Sequence, residues 1–212
     1  SLLVFAALQC PSAENRATVL IAAFFVLGLG RFFLALAGLD AAGSFGGMGS
    51  SREMFISCFA EPAAFVAVFV LCMGGGHGFR VSNLLSGTAL FMLAIAETSR
   101  IPVDNQETHL EMTMVHEAMV LEYSGRSLAL IELARLIKQL LFYILISWYL
   151  FASLATGGWE RVLFPVEIAL IGLIVAFIEL SVAKMRLFRV VDFLSFSFFV
   201  ALVASIAAGL GL

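Results

Sequence analysis

ETSRIPVDNQETHLEMTMVHEAMVLEYSGR, residues 97–126, is a polar island between long apolar runs. It holds Glu97, Asp104, Glu107, Glu111, Glu117 and Glu122, six of the fifteen acidic residues of the chain, with His109 and His116 and only two cations, Arg100 and Arg126. The segments on both sides have the length and apolar character of membrane spans. The island must therefore lie at a membrane face or fold back between helices. Its position splits the chain into two membrane halves.

Outward from it, composition sets the class. The chain is 62% hydrophobic and 13% charged, with a mean hydropathy of +1.06, far from the roughly 25% charged make-up of soluble domains. The apolar runs are continuous rather than alternating in period two, which argues against a barrel. At about 20 residues per span, 212 residues leave room for about six complete helices. The expected fold is an all-α, polytopic transmembrane helical bundle, one integral membrane domain over residues 1–212, with about six full spans and a long acidic cytoplasmic loop.

The expected spans are 17–38, 53–73, 82–97, 127–155, 162–183 and 193–212, and residues 1–8 read as the end of a truncated N-terminal helix. Arg31 interrupts the first; inside a bundle it can snorkel or pair, but it should not face lipid. DAAGSFGGMGSSREM, 40–54, reads as a glycine- and serine-rich loop, with Ser50 or Ser51 capping the helix that follows. It has no GK[ST] and no preceding strand, so a phosphate loop does not fit. Glu61 precedes Pro62, which removes a backbone donor and leaves the carboxylate beside freed carbonyls.

Charge in the connections gives orientation. Connections near 40–52, 98–126 and 184–192 carry Arg52, Arg100, Arg126, Lys184, Arg186 and Arg189, while the opposite ones carry Arg16, Arg80 and Arg161. The positive-inside rule then puts the acidic island in the cytoplasm. No basic tract points to nucleic acid.

Carboxylates inside spans must pair, stay protonated or reach water. Glu61, Glu132, Glu167 and Glu179 are thus candidates for a proton path or for internal ion pairs. Glu132, Arg135 and Lys138 are spaced three apart, along one stripe of a helix. A metal site is not expected: His109, Glu111, His116 and Glu117 do not form HExxH, and on a helix 109 and 116 would stand about 10 Å apart. Cys10, Cys58 and Cys72 are scattered, and His77, His109 and His116 all fall in connections, so neither an iron-sulfur cluster nor a haem is expected on this chain. An ion channel or antiporter, a structural anchor, and a membrane subunit of a redox machine remain open.

Two separated motifs carry a resemblance. AETSRIPVD at 96–104 and LEYSG at 121–125 resemble the subunit 1 family of respiratory complex I and its hydrogenase relatives, in which AExxRxPxD and EYSG signatures share a cytoplasmic loop beside the quinone-reaction region. GGMGSSREMFISCFAEP at 46–62 and SVAKMRLFRVVD at 181–192 are similar to further segments of that family. IPVDNQETHLEMTMVHEAMVLEYSG is nearest the membrane subunit of group 4 NiFe hydrogenases, the formate hydrogenlyase and hydrogenase-4 branch. Asn105, Gln106 and His109 depart from the quinone-reducing pattern.

The resemblance implies a membrane anchor, N-terminally incomplete relative to the family, in a bacterial or archaeal cytoplasmic (inner) membrane. It would dock an arm made of the hydrogenase large and small subunits and other Fe-S subunits. Any NiFe centre and Fe-S clusters would reside on those partners. Glu61, Glu97, Asp104, Glu107, Glu111, Glu122, Glu132 and Glu179 would form the proton-path or coupling set, leading toward antiporter-like membrane subunits. Arg52, Arg100, Arg126, Arg135, Lys184, Arg186 and Arg189 would hold loops and docked partners by ion pairs. The alternatives are a quinone-binding subunit of a complex I-type NADH dehydrogenase and a stand-alone ion transporter.

Overall fold

The structure, a computed structural model, describes residues 13–40, 43–73, 81–98, 116–151, 160–181 and 187–211. These residues are helical throughout apart from short turns. The helices are α1 (Ala13–Asp40), α2 (Ser44–Met73), α3 (Val81–Glu97), the short α4 (His116–Val120), α5 (Gly125–Phe151), α6 (Glu160–Ser181) and α7 (Leu187–Gly209). Each of the six expected spans corresponds to one of the long helices. Four contain stretches long and apolar enough to cross a membrane, within α1, α2, α6 and α7. The 17-residue α3 is shorter, and α5 carries Glu132, Arg135 and Lys138 in its first half.

The apolar pattern is inverted relative to a soluble protein. Large side chains point outward, as with Phe177 and Leu180 on α6 and Phe199 and Ile206 on α7. Between the helices lie Ala60, Ala63, Ala64 and Ala67 of α2, Ala89 and Ala94 of α3, and Ala201 of α7, all buried. Hydrophobicity gives no drive between helices in lipid, so close backbone approach and hydroxyl hydrogen bonds hold such bundles together. Both occur here: Ser86 donates to the Ala67 carbonyl at 2.8 Å, and Ser197 to that of Ala89 at 2.9 Å. Helices α2, α3 and α7 form the tightest packed part, while α6 leans mainly on α5.

Two expected boundaries are corrected. The glycine- and serine-rich stretch is not a loop, because α2 starts at Ser44 and includes it. Ser50 does not cap a helix: its hydroxyl donates to the carbonyls of Gly46, one turn back, and Ala35 on α1. The glycines allow contact between helices. A side-chain carbon at Gly46 would collide with the Gly38 carbonyl oxygen of α1. Composition that signals a turn in water here signals close helix packing. Arg52 consequently sits on α2 rather than in a connection, with Nη2 3.6 Å from Met48 Sδ. Likewise α7 starts at Leu187 rather than near 193, so Arg189 belongs to its first turn.

The end of the acidic island folds back onto the bundle. Ala118, Met119 and Val120 of α4 are buried, and α4 packs on α2 and α1. The Tyr123 hydroxyl then donates to the Ala37 carbonyl of α1 at 3.0 Å. Gly125 opens α5 with φ +61°, a conformation that glycine adopts without the steric penalty of other residues.

Candidate functional site

Arg31 is the centre of a charged cluster. It stands on α1 and is largely buried, so it requires opposite charge nearby. Three other helices supply its surroundings. Nη2 pairs with Glu97 Oε2 at the end of α3, and Nη1 reaches Glu61 Oε1 of α2 at 3.4 Å. Nε lies 3.7 Å from Glu53 Oε1 of α2, and Nη1 also donates to Ser57 Oγ at 2.8 Å. From α5, Lys138 Nζ approaches Glu97 Oε2 to 2.5 Å.

Burial ranks the members. Glu97 is 5% exposed and Glu61 54%. Glu97 is thus a buried carboxylate shared by two cations, whereas Glu61 is the outer carboxylate of the cluster. With three carboxylates against two cations, the cluster changes its net charge whenever one proton arrives or leaves. Arg31 touches both Glu97 and Glu61, so its hydrogen bonds can be redistributed between an inner and an outer carboxylate.

The cluster lies where the helices diverge. Helix α3 ends at Glu97, but α1 continues from Arg31 to Asp40, roughly 14 Å at 1.5 Å per residue. Helix α5 starts about 20 Å before Lys138 by the same rise. The ionic level therefore coincides with one end of the shortest span. Two cavities meet there. One, of about 510 Å³, is walled by Phe24, Phe25, Met54, Phe65 and Phe142 and closed by Arg31, Ser57, Glu61, Glu97 and Lys138. The second, of about 430 Å³, runs between α1 and α5 past Tyr123, Leu130 and Arg135 to Arg31, Glu97 and Lys138.

Of the residues expected from sequence, the structure brings together Glu61 and Glu97. Glu97 is not part of an open loop; it is buried in the bundle. Glu132 and Arg135 do pair, at 3.3 Å one helical turn apart. Glu122 is exposed beside α2, its carboxylate close against Gly43. Glu179 is exposed on α6, away from the cluster, and Arg126 is exposed at the start of α5. Asp104, Glu107, Glu111, Arg100, Lys184 and Arg186 lie outside the described residues, as do Asn105, Gln106 and His109. Glu53, Ser57 and Lys138 join the site without a sequence signal that singles them out for it. The available signal is Arg31 itself, a charge within a span that needs a partner.

Comparisons with known proteins agree in direction. The family model described as NADH dehydrogenase matches residues 1–209. Hydrogenase-4 component C of Escherichia coli K12 is 35% identical over 134 residues, 57% of this chain and 42% of that protein. Formate hydrogenlyase subunit 4 of the same organism is 27% identical over 194 residues, 79% of this chain and 61% of that protein. The chain thus spans less than two thirds of the length of either relative. No solved structure matches it.

Proposed function

Because the chain belongs to the NADH dehydrogenase family, we propose that it is the membrane anchor and coupling subunit of a multi-subunit, membrane-bound NiFe hydrogenase of the formate hydrogenlyase type. The observation that carries this reading is that both curated relatives are hydrogenase or formate hydrogenlyase components. The protruding ends of α1, α2 and α5, with the acidic island between α3 and α5, form the docking side for a soluble arm holding the NiFe centre and Fe-S clusters. This side faces the cytoplasm of a bacterial or archaeal cell, and antiporter-like subunits adjoin the chain within the membrane.

In this reading the Arg31 cluster is the coupling element. Redox chemistry in the arm moves or reprotonates the acidic island, which is continuous with Glu97 through the end of α3. A change at Glu97 shifts Arg31 toward Glu61 and Glu53, and so alters charge on the bundle side. Asp104, Glu107, Glu111 and Glu122 belong to the input side of this path.

Purification with a tag on this chain tests the assignment. Co-isolation of a nickel- and iron-containing arm with hydrogen-evolving activity is the expected result. An arm that oxidises NADH and contains no nickel would instead support a quinone-binding subunit of a complex I-type enzyme. That second reading is favoured by one observation, the 510 Å³ cavity with aromatic walls and a charged end. A stable single chain that transports ions without partners would exclude both.

A further inference from the structure

Below the Arg31 cluster, α5 carries a polar side chain at every fourth position: Arg135, Gln139, Tyr143 and Ser147. At 3.6 residues per turn they follow one slowly drifting stripe. Gln139 Nε2 donates to the Tyr143 hydroxyl oxygen at 2.6 Å. Ser147 Oγ donates to Glu167 Oε2 on α6, also at 2.6 Å. Tyr143 and Ser147 are buried. A side-chain carbon at Gly172 of α6 would stand only 3.7 Å from the Tyr143 ring. The stripe therefore enters the seam between the antiparallel α5 and α6.

Depth gives this seam its interest. Lys138 marks the level at which α3 ends, and Ser147 lies about 14 Å further along α5 by helix rise. On α6, Glu167 falls inside the membrane-length stretch Phe164–Ser181, about one turn from its start. A carboxyl group there is a functional residue by default. Among the described residues no cation pairs with Glu167; its hydrogen-bond partner is the neutral Ser147 hydroxyl. Two positions earlier, Pro165 lies inside α6 and removes a backbone N–H from the helix, which frees a carbonyl on the preceding turn.

We propose that Glu167 is an intramembrane proton-binding site, loaded along the α5 and α6 seam through the hydroxyls of Tyr143 and Ser147. The proposal rests on the coupling role argued above and adds a site to it. Gln139 occupies the Tyr143 oxygen as a donor, so the Tyr143 O–H is left to donate onward. The Cα atoms of these two residues are one turn apart, about 6 Å, and in the proposed path ordered water joins the Tyr143 and Ser147 hydroxyls. A proton reaching the Ser147 oxygen releases the original hydroxyl proton to Glu167 Oε2, converting carboxylate to carboxylic acid. Release runs in reverse and needs no oxidant or reductant. The other titratable side chains of these helices are Arg126, Glu132, Arg135, Lys138 and Tyr149 on α5 and Glu160, Arg161 and Glu179 on α6.

The test uses the complete complex in proteoliposomes, with proton movement followed by an internal pH dye and hydrogen turnover measured in the same sample. Glu167→Gln keeps shape and hydrogen bonding but cannot exchange a proton. It should reduce protons moved per hydrogen at least several-fold and remove a carboxylic acid band from redox-induced infrared difference spectra. Ser147→Ala should keep that band, shift its frequency and slow proton movement, and it decides the matter if Glu167→Gln does not assemble. Unchanged proton stoichiometry and an unchanged infrared spectrum in these variants would overturn the site while leaving the coupling role intact. A wild-type complex that turns over hydrogen and moves no protons would overturn both.

Discussion

Lys138 Nζ stands 2.5 Å from Glu97 Oε2, the same oxygen that receives the Arg31 guanidinium. One buried carboxylate at the end of α3 thereby ties together α1 and α5. The link matters because these two helices border a cavity rather than packing along their length.

Glu97→Ala would leave two cations facing each other with no anion between them. Loss of one partner from a buried pair destabilises by roughly 3–5 kcal/mol. Lys138→Met leaves the Arg31 and Glu97 pair in place, so its effect should be clearly smaller. Thermal unfolding of the purified complex, followed by tryptophan fluorescence, ranks the two. Equal losses would mean that Glu97 is not the hub.

Two adjacent glycines of α2 should behave differently. A side-chain carbon at Gly46 meets the backbone oxygen of Gly38, whereas one at Gly47 meets nothing within 4 Å. Overpacking of this kind typically costs about 1–3 kcal/mol. Gly46→Ala should lower the unfolding temperature and Gly47→Ala should leave it unchanged or slightly raised, since alanine favours helix. The same pair of variants checks that residues 44–52 are helical, because a loop would tolerate both.

The return of the acidic island to the bundle depends on Tyr123 and Gly125. Tyr123→Phe removes one hydrogen bond to the Ala37 carbonyl, worth about 1 kcal/mol. Gly125→Ala puts a side chain at φ +61°, at a cost of roughly 1–2 kcal/mol, and Gly125→Asn should be milder. Hydrogen exchange over 116–126 should accelerate in both Tyr123→Phe and Gly125→Ala, with exchange in α7 unaffected.

Orientation is open to direct labelling. In a chain with Cys10, Cys58 and Cys72 replaced by alanine, Ser127→Cys places an exposed thiol at the start of α5. Leu210→Cys places one just beyond α7, at its opposite end to Arg189. A membrane-impermeant maleimide should label the first only in inverted vesicles and the second only in right-side-out ones. The reverse pattern would put the docking side outside the cell.

Much of the fold is legible in the sequence because membrane burial acts on long stretches. Runs such as those in α1 and α7 are apolar on every side, and no soluble arrangement hides them. Boundaries are less legible. Gly46, Gly47, Gly49, Ser50 and Ser51 read as a loop by local preference, yet in lipid small residues bring helices together and a serine hydroxyl can bond the carbonyl one turn back. The last helix begins earlier than its charges suggest for a related reason, since Arg189 does not stop a helix from forming in its first turn.

By itself, the sequence determined that this chain is a helical membrane protein and that Arg31 and Glu61 needed partners, because an isolated charge in hydrocarbon is too costly to leave alone. It also marked residues 97–126 as a distinct polar island through composition. Only the tertiary structure decided which charges meet. Arg31, Glu53, Glu61, Glu97 and Lys138 come from four helices, and ion pairing depends on distances of a few ångströms that crossing angles and rotations set. The same holds for Ser147 and Glu167, whose contact exists because α5 and α6 pack antiparallel in one register.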